Sequence, residues 1–408
     1  MSEEQRSTPR HTRAVVLGSA ISGIAGYVFS ILGVRVLGDT AYANIAVLWT
    51  IQYLVVSITL LNIEAWVTRH RGVAPWVAGW VIGLAGIVTA IGSIAAEQLF
   101  HGGDWTWGLI AGAITLAYGS LIVARGQLAA NESFTAFGVL NGAEALIRLG
   151  LAIGLALLVV PPWAWGAIMP IGPIVVVLGW LGFGGRFTRA DAPFPAYYLL
   201  NTTVSNGISQ LLLAGAPLAV ALLGAGPQVT SLVFVTTTLG RAPLVFLHGG
   251  LLARILPPLL AIAQGNDRHR IAMAMNRVLA VATASLIAAY IGGGLIGPPV
   301  VALAYGNNLR PSFVLAGFTG VAVIATMVAL LLGQVLIALH AERDMAVPWI
   351  IGLVATAIGT MVIPLPMSEL IVAASALGAI VATLGLSVVV RRAALTQNVL
   401  VQPERLPY

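Results

Sequence analysis

Arg241 is the chain's most unusual ionisable residue, because it lies near the middle of an apolar run, residues 229–253. An arginine at mid-bilayer depth costs at least about 2.5 kcal/mol, so it normally faces a cavity or a partner. His248 follows seven positions later on the same helical stripe, and Pro243 should break the helix between them. The pattern predicts a cation in a polar stretch, where its planar fork could bind a phosphate. An interhelical structural contact, for instance with Glu144 or with a backbone carbonyl, is the alternative.

Glu144 and Arg148 form a second candidate pair within an apolar run. Their i, i+4 spacing with the acid first is the favourable order for an intrahelical ion pair. They could simply neutralise each other. Contact with a substrate and a proton relay through Glu144 stay open as alternatives, because ionisable residues within a membrane often mark transport pathways.

Charged residues also flank the ends of the first two apolar runs. Arg35 stands beside Asp39 at the predicted outer end, where it could close an outer gate, meet a sugar phosphate or extend to the lipid headgroups. At the predicted inner end, the candidates for an inner gate or for binding an anionic lipid are Glu64, Arg69, Arg71 and Arg254. Ordinary anchoring by basic residues is the alternative for this inner group.

The composition indicates that the chain lies in a membrane, as the assignments above require. The 408 residues are 59% hydrophobic and 8% charged, and their mean hydropathy is +0.96. Such a chain cannot hide its apolar surface in a water-soluble globule, so we expect an all-α polytopic membrane protein. Every basic side chain other than histidine is an arginine. These arginines are scattered singly between apolar runs, which argues against a nucleic-acid partner.

Several chemistries lack the residues that they need. The absence of cysteine excludes disulfides and thiolate chemistry, and the six histidines show no metal-ligand spacing. We find no phosphate-binding loop motif, and we expect no metal, no cofactor and no enzymatic activity.

Runs of about 17 to 25 apolar residues predict twelve membrane-spanning helices. They cover residues 14–34, 42–63, 76–96, 106–124, 135–160, 163–183, 197–223, 229–253, 278–297, 312–339, 348–365 and 369–390. Tryptophans near the span ends predict an aromatic belt at the membrane surfaces; they are Trp76, Trp80, Trp105, Trp107, Trp163 and Trp165.

The arginines predict the orientation of these spans. Most of the 20 fall on the side of the N-terminus, whereas the opposite side keeps only Arg35 and Arg310. Basic loops remain in the cytoplasm, so both termini are predicted to be cytoplasmic, with the chain in the plasma membrane. The first span is too long for a cleaved signal and is expected to be retained.

Weak internal similarity indicates two related halves. The segment from Val36 to Leu48 resembles the segment from Leu222 to Phe234, and Gly126-Gln127 recurs as Gly333-Gln334. Both matches relate one helix to the helix six places later. The predicted organisation is a tail at 1–13, a six-helix lobe at 14–185, a linker at 186–196, a second lobe at 197–390 and a tail at 391–408.

The first hairpin contains a short motif. Arg35, Leu37, Gly38 and Tyr42 follow the pattern R-x-L-G-x-x-x-[YF]-G, with Ala43 in place of its last glycine. In this motif the hairpin resembles that of the Wzx-like polysaccharide flippases. Further similarities lie at Val67-Thr68-Arg69, at Arg125-Gly126 with Phe134, and at Glu144 with Arg148. The resemblance implies the multidrug/oligosaccharidyl-lipid/polysaccharide (MOP) exporter superfamily, with two six-helix bundles around a central cavity that opens alternately to each face.

The expected function is therefore translocation of a lipid-linked oligosaccharide, with a polyprenyl diphosphate carrier, for cell-surface polysaccharide biosynthesis. The expected partners are the glycan substrate, membrane lipids, polysaccharide polymerases and glycosyltransferases. Two alternatives remain. A multidrug or small-molecule antiporter for cations would need an unpaired acid in its cavity, and an integral-membrane glycosyltransferase would need Asp39 as a base or a metal ligand.

Overall fold

The computed structural model describes residues 3–242, 268–338, 341 and 344–400. These residues are helical apart from connecting turns, and their one strand-type pairing is an isolated bridge between Val73 and Arg189. The all-α class expected from the sequence is confirmed. Two candidate site residues, His248 and Arg254, lie outside the described ranges.

Fifteen α-helices make up the described chain, together with a π-helical turn at Val56–Leu60 and a 3₁₀ turn at Asn307–Leu309. The first eight are α1 (Glu3–Val55), α2 (Leu61–His70), α3 (Pro75–Ile94), α4 (Ala96–Leu99), α5 (Thr106–Ala130), α6 (Phe134–Ala156), α7 (Pro162–Ala167) and α8 (Ile171–Gly182). The others are α9 (Ala196–Ala214), α10 (Ala216–Leu222), α11 (Pro227–Gly240), α12 (Arg268–Tyr305), α13 (Phe313–Ala338), α14 (Ala346–Val362) and α15 (Met367–Leu400).

A break at Gly38 turns α1 into a hairpin. Gly38 has φ 78° and ψ 168°, a combination that residues with a side chain adopt only under strain. The ring of Phe29 packs edge-on against the ring of Trp49, with 5.6 Å between their centroids. Residues 39–55 therefore run back along the preceding helix, and the first two predicted spans are separate helices.

Eight helical stretches in the described ranges are long and apolar enough to cross a membrane, or nine if the pair α9 and α10, bent by 77°, forms one span. One of the eight, Ala14–His70, holds both arms of the first hairpin and so accounts for two predicted spans. The eleventh predicted span corresponds to α14, which has only 17 residues. The eighth was predicted as an apolar run broken near Pro243. In the structure α11 already ends at Gly240, and residues 243–267 lie outside the described part.

The chain divides into two compact units. The first unit comprises Met1–Gly207, Pro217–Val235 and Leu303–Leu309, and the second comprises Ile208–Ala216, Thr236–Ala302 and Arg310–Tyr408.

In the first unit, α1 packs along α6, and α5 packs against α2 and α3. The approach of α1 to α6 is close, since a Cβ added at Gly138 would overlap the backbone of Ala14. Trp165 is fully buried, and its ring lies 6.0 Å from the ring of Phe29. Trp107 is also buried and stacks on Phe100. The predicted aromatic belt is therefore wrong for these two tryptophans, which fill the protein core rather than a membrane surface.

In the second unit, α15 packs against both α13 and α14. Trp349 of α14 is 2% exposed and lies in an apolar cluster with Leu332, Leu336 and Leu386. Aliphatic side chains of this kind in close contact supply most of the stabilisation of a helical core.

A short segment after α8, residues 186–190, is fastened to the first unit, and we call it the strap. The amide of Val73 donates to the carbonyl of Thr188 at 2.7 Å, and the amide of Ala190 donates to the carbonyl of Val73 at 3.1 Å. The amide of Thr188 also donates to Oε1 of Gln127 at 3.1 Å, and Gln127 is fully buried. The strap begins the predicted linker 186–196.

Candidate functional site

The pair Glu144 and Arg148 lies in the first unit on consecutive turns of α6. Nη1 of Arg148 is 3.2 Å from Oε1 of Glu144, and both side chains are 4% exposed. Tyr118 of α5 joins them, because its hydroxyl donates to Oε1 of Glu144 at 2.7 Å and accepts a hydrogen bond from Nη1 of Arg148. The predicted neutralising pair is thus present, extended by a tyrosine that spacing alone could not reveal.

Aromatic rings cover this buried triad. The guanidinium carbon of Arg148 lies 4.7 Å from the centroid of Trp49 and 5.7 Å from that of Phe29. Cation–π contact and hydrogen bonding offset the large cost of removing these charges from water. The arrangement fixes α6 against α5 and the first hairpin, and in this state it leaves little surface for a substrate.

A second ion pair forms where the sequence analysis placed an inner gate. Nη2 of Arg125 lies 3.2 Å from Oε1 of Glu64, with the side chains 20% and 13% exposed. The Arg125 guanidinium also lies 4.7 Å from the centroid of Phe137. Arg69 and Arg71, the other described candidates of this gate, are exposed. The partner of Glu64 is separated from it by 61 residues, so no local spacing could have identified Arg125 as that partner.

Arg35 contacts the end of α12 rather than Asp39. Its Nη2 donates to the carbonyl of Leu303 at 2.7 Å, and its Nε donates to the carbonyl of Ala304 at 3.1 Å. The carboxylate of Asp39 instead accepts the amide of Thr40 at 2.8 Å. Arg35 is therefore placed at the end of a helix by contacts within the first unit.

Arg241 follows directly after the last residue of α11, in the second unit, and is half-buried. Its Nε donates to the carbonyl of Thr237 at 3.1 Å, and its Nη2 donates to Oγ1 of Thr238 at 3.2 Å. The guanidinium thus folds back over the last turn of its own helix. The bond to the Thr237 carbonyl is a structural contact of the kind that the sequence analysis gave as the alternative, and His248 lies outside the described residues.

A small cavity in the second unit is lined by hydroxyl groups together with apolar side chains. Its polar residues are Thr237, Thr319 and Ser375, which come from α11, α13 and α15. Thr237 therefore takes part both in this lining and in the hydrogen bonding of Arg241. Among the described residues, no group of three or more histidine, aspartate or glutamate side chains is arranged to hold a metal ion.

The sequence similarity between this chain and known proteins is weak. No family model matches the chain. Three proteins described as uncharacterized, from Mycobacterium bovis and two strains of Mycobacterium tuberculosis, are each 23% identical to it over 404 residues. These matches cover 89% of this chain and 88% of each relative.

Solved structures give a much clearer result. An inward-facing multidrug resistance MATE family transporter of the MOP superfamily aligns over 95% of this chain and 99% of its own, with a TM-score of 0.65 and 14% identity. A MATE protein in complex with MaD3S aligns over 95% and 97%, with a TM-score of 0.54 and 16% identity. The chain has the MATE transporter fold.

The MATE fold accounts for the two-lobed, helical, multi-pass membrane architecture that the sequence predicted. A further structure with this fold is a MOP superfamily transporter from Pyrococcus furiosus, which aligns over 96% of this chain and 95% of its own. Its TM-score is 0.50 at 16% identity, and its description states that the reverse polarity of its binding pocket suggests a different function. The descriptions of these neighbours name them as transporters.

Proposed function

We propose that this protein translocates an anionic lipid-linked oligosaccharide across the plasma membrane by alternating access, for cell-surface polysaccharide biosynthesis. The carrier would be a polyprenyl diphosphate, whose lipid tail stays in the bilayer while its head group crosses. The lobes at residues 14–185 and 197–390 would alternate around the substrate, with both termini in the cytoplasm. Polysaccharide polymerases and glycosyltransferases would act beside it.

The state of the membrane carboxylates carries this proposal. Away from the span ends, the carboxylates within the described spans are Glu64 and Glu144. Each has an arginine nitrogen 3.2 Å away, Arg125 and Arg148 respectively. A pump for cationic drugs needs a carboxylate that is available to its substrate, whereas here each carboxylate is already paired with an arginine. This balance favours an anionic substrate.

Arg241 is the cation that we propose to meet the diphosphate. A planar guanidinium can donate two parallel hydrogen bonds to a phosphate, and such charge-assisted bonds are strong in a low-dielectric site. Moving a diphosphate through the membrane without such donors would be prohibitively expensive. The side chain now donates to groups of its own helix end, which a phosphate could replace as acceptors.

The test is transport by the purified protein in liposomes that contain a fluorescent lipid-linked oligosaccharide. We expect Arg241→Ala to lower the rate of sidedness change at least about tenfold, because a hydrogen bond to a charged group contributes about 1.5 to 3 kcal/mol. Arg189→Ala is the matched control, since the Arg189 side chain is 74% exposed in its ion pair with Asp191 and should contribute little. Equal transport by the Arg241→Ala and parent proteins would remove Arg241 from the substrate path.

A multidrug antiporter is the second candidate, and the fold comparison favours it, because the neighbours include a multidrug resistance transporter. Cells that express the protein should then lose a cationic dye faster than cells without it. Dye export with no movement of lipid-linked oligosaccharide would establish this candidate over the first.

Asp39 allows a direct test of the glycosyltransferase alternative. Its carboxylate already accepts hydrogen bonds from the amide and the hydroxyl of Thr40, which is typical of a turn residue. Asp39→Asn should leave the sugar composition of the lipid-linked glycan unchanged. Loss of a sugar residue from that glycan in the variant would support the enzyme instead.

A further inference from the structure

Arg35 caps the C-terminal end of α12 from a distant part of the sequence. The last carbonyls of a helix have no partner within it, and they carry a partial negative charge. Arg35 donates to two of them, on Leu303 and Ala304, across 268 and 269 positions of sequence. A cation with two donors in a fixed fork matches this helix end in both charge and geometry.

Two further polar contacts join the turn of the first hairpin, close to Arg35 in sequence, to the start of α11. Oγ of Ser231 donates to the carbonyl of Asp39 at 2.5 Å. Nε2 of Gln228 donates to Oγ1 of Thr40 at 3.0 Å. These bonds hold α11 against the two residues that directly follow the break at Gly38.

A buried set of hydroxyl groups completes the arrangement. The hydroxyl of Tyr42 donates to Oγ of Ser30 at 3.0 Å, and Oγ of Ser30 lies 3.3 Å from the hydroxyl of Tyr305 at the end of α12. The ring of Tyr42 lies 6.0 Å from that of Phe234 on α11. The same hairpin therefore contacts both α11 and the end of α12.

We propose that these contacts form a releasable latch that holds the outer side of the transporter closed. The outer latch consists of Ser30, Arg35, Asp39, Thr40 and Tyr42 on the hairpin, with Gln228, Ser231 and the segment Leu303–Tyr305 as its partners. The outer latch rests on the proposed alternating-access function. It gives Arg35 the role of stabilising the closed state rather than that of contacting the substrate.

The chemistry of the latch suits repeated opening. Arg35 is exposed, and its acceptors are backbone carbonyls, so water can replace each bond when the groups separate. Opening therefore leaves no buried charge without a partner. The pair Glu144 and Arg148 differs, since both members are 4% exposed and their separation would strand two charges.

A cysteine reporter tests the latch, because the chain contains no cysteine of its own. Thr230 precedes the latch residue Ser231 on α11 and is fully buried, so Thr230→Cys should react slowly with a polar maleimide in purified protein in nanodiscs. Adding Arg35→Ala should raise the labelling rate about tenfold, since it removes two charge-assisted bonds that favour the closed state. Arg35→Lys should give an intermediate rate, because an ammonium lacks the fork that reaches both carbonyls.

Two further variants keep the test decisive. Arg310→Ala removes an arginine from a neighbouring loop position and should leave the labelling rate unchanged. Tyr305→Phe removes only one hydroxyl and should raise the rate modestly, which provides a measurement even if Arg35→Ala does not fold. An unchanged rate in folded Arg35→Ala, or in Tyr305→Phe where the arginine variant fails to fold, would overturn the latch.

The labelling needs no substrate, so its result is independent of the substrate assignment. Increased labelling together with absent oligosaccharide transport would support the latch and reject the proposed substrate. Transport in the parent protein together with unchanged labelling in the variants would reject the latch and leave the proposed function in place.

Discussion

At the scale of single residues, the ion pairs of this protein differ most in their burial. Glu144 and Arg148 are 4% exposed, whereas Arg189 and Asp191 form a pair of similar length with side chains 74% and 83% exposed. Exposed pairs contribute about 0 to 1 kcal/mol, but removing one partner of a buried pair costs about 3 to 5 kcal/mol. The buried pair should therefore dominate the response of the protein to charge substitutions.

A double-mutant cycle on Glu144 and Arg148 tests this prediction. Arg148→Met should lower the unfolding temperature strongly, because it leaves the Glu144 carboxylate buried without its cation. Glu144→Gln combined with Arg148→Met should recover much of the loss, since no charge then remains in the site. The measurement is thermal unfolding in detergent, with size-exclusion chromatography as the readout of the folded fraction.

The same cycle separates a structural pair from a transport site. Recovered stability with recovered transport in the double variant would show that the pair acts by holding α6 against α5. Recovered stability without transport would assign the pair a role in the transport pathway. Arg189→Met provides the control, because its exposed pair with Asp191 should affect neither measurement.

The sequence predicted only those contacts whose two residues are close together in the chain. The i, i+4 spacing predicted the pair of Glu144 and Arg148, and it is confirmed. Tyr118 completes that pair across 26 positions, and Arg35 reaches a helix end 268 positions away. Contacts of this kind depend on how helices pack, and neither residue type nor spacing in one sequence encodes that packing.

At the scale of helices, the break at Gly38 shapes the first hairpin. With φ 78° and ψ 168°, this position suits glycine almost alone, and a side chain there costs about 1 to 3 kcal/mol. Because two members of the proposed outer latch, Asp39 and Thr40, directly follow Gly38, a distorted turn should also move them away from α11.

We therefore expect Gly38→Ala to lower the unfolding temperature and to raise the labelling of the Thr230→Cys reporter. Gly23→Ala is a matched control on the same helix, since nothing lies within 4 Å of the Cβ that it would add. That control should be neutral or slightly stabilising, because alanine favours helix more than glycine does. Equal unfolding temperatures for both variants would contradict the assigned strain at Gly38.

Apolar run length predicted helices well but not their breaks. Each of the twelve predicted spans overlaps a described helix, since about 20 apolar residues are needed to cross a bilayer. The bend between α9 and α10 and the end of α11 at Gly240 fall inside such runs. Hydropathy is insensitive to these breaks, because it averages over residues on both sides.

At the scale of the whole molecule, orientation is the prediction that follows most directly from the distribution of arginine. Glu97 and Arg186 are exposed and lie at opposite predicted faces. In intact cells, Glu97→Cys should react with a membrane-impermeant maleimide, whereas Arg186→Cys should react only after permeabilisation. The reverse pattern would show that the termini face outward.

Composition and run length were sufficient for the fold class, because a chain this apolar has few stable alternatives to a helical bundle in lipid. The substrate is less accessible to such reasoning. Proteins with the same MATE fold can differ in function, so the substrate depends on a few polar side chains whose grouping only the structure reveals. Tyr118 is one polar side chain whose grouping, with Glu144 and Arg148, no motif had indicated.

The strap at residues 186–190 also bears on the order of events during synthesis. Its partners, Val73 and Gln127, precede it in the chain, so they have left the ribosome before the strap emerges. The strap can therefore fasten to the ends of α2 and α5 before most of the C-terminal half is translated. The nascent chain would in this way stabilise the packing of these two helices before its later helices are synthesised.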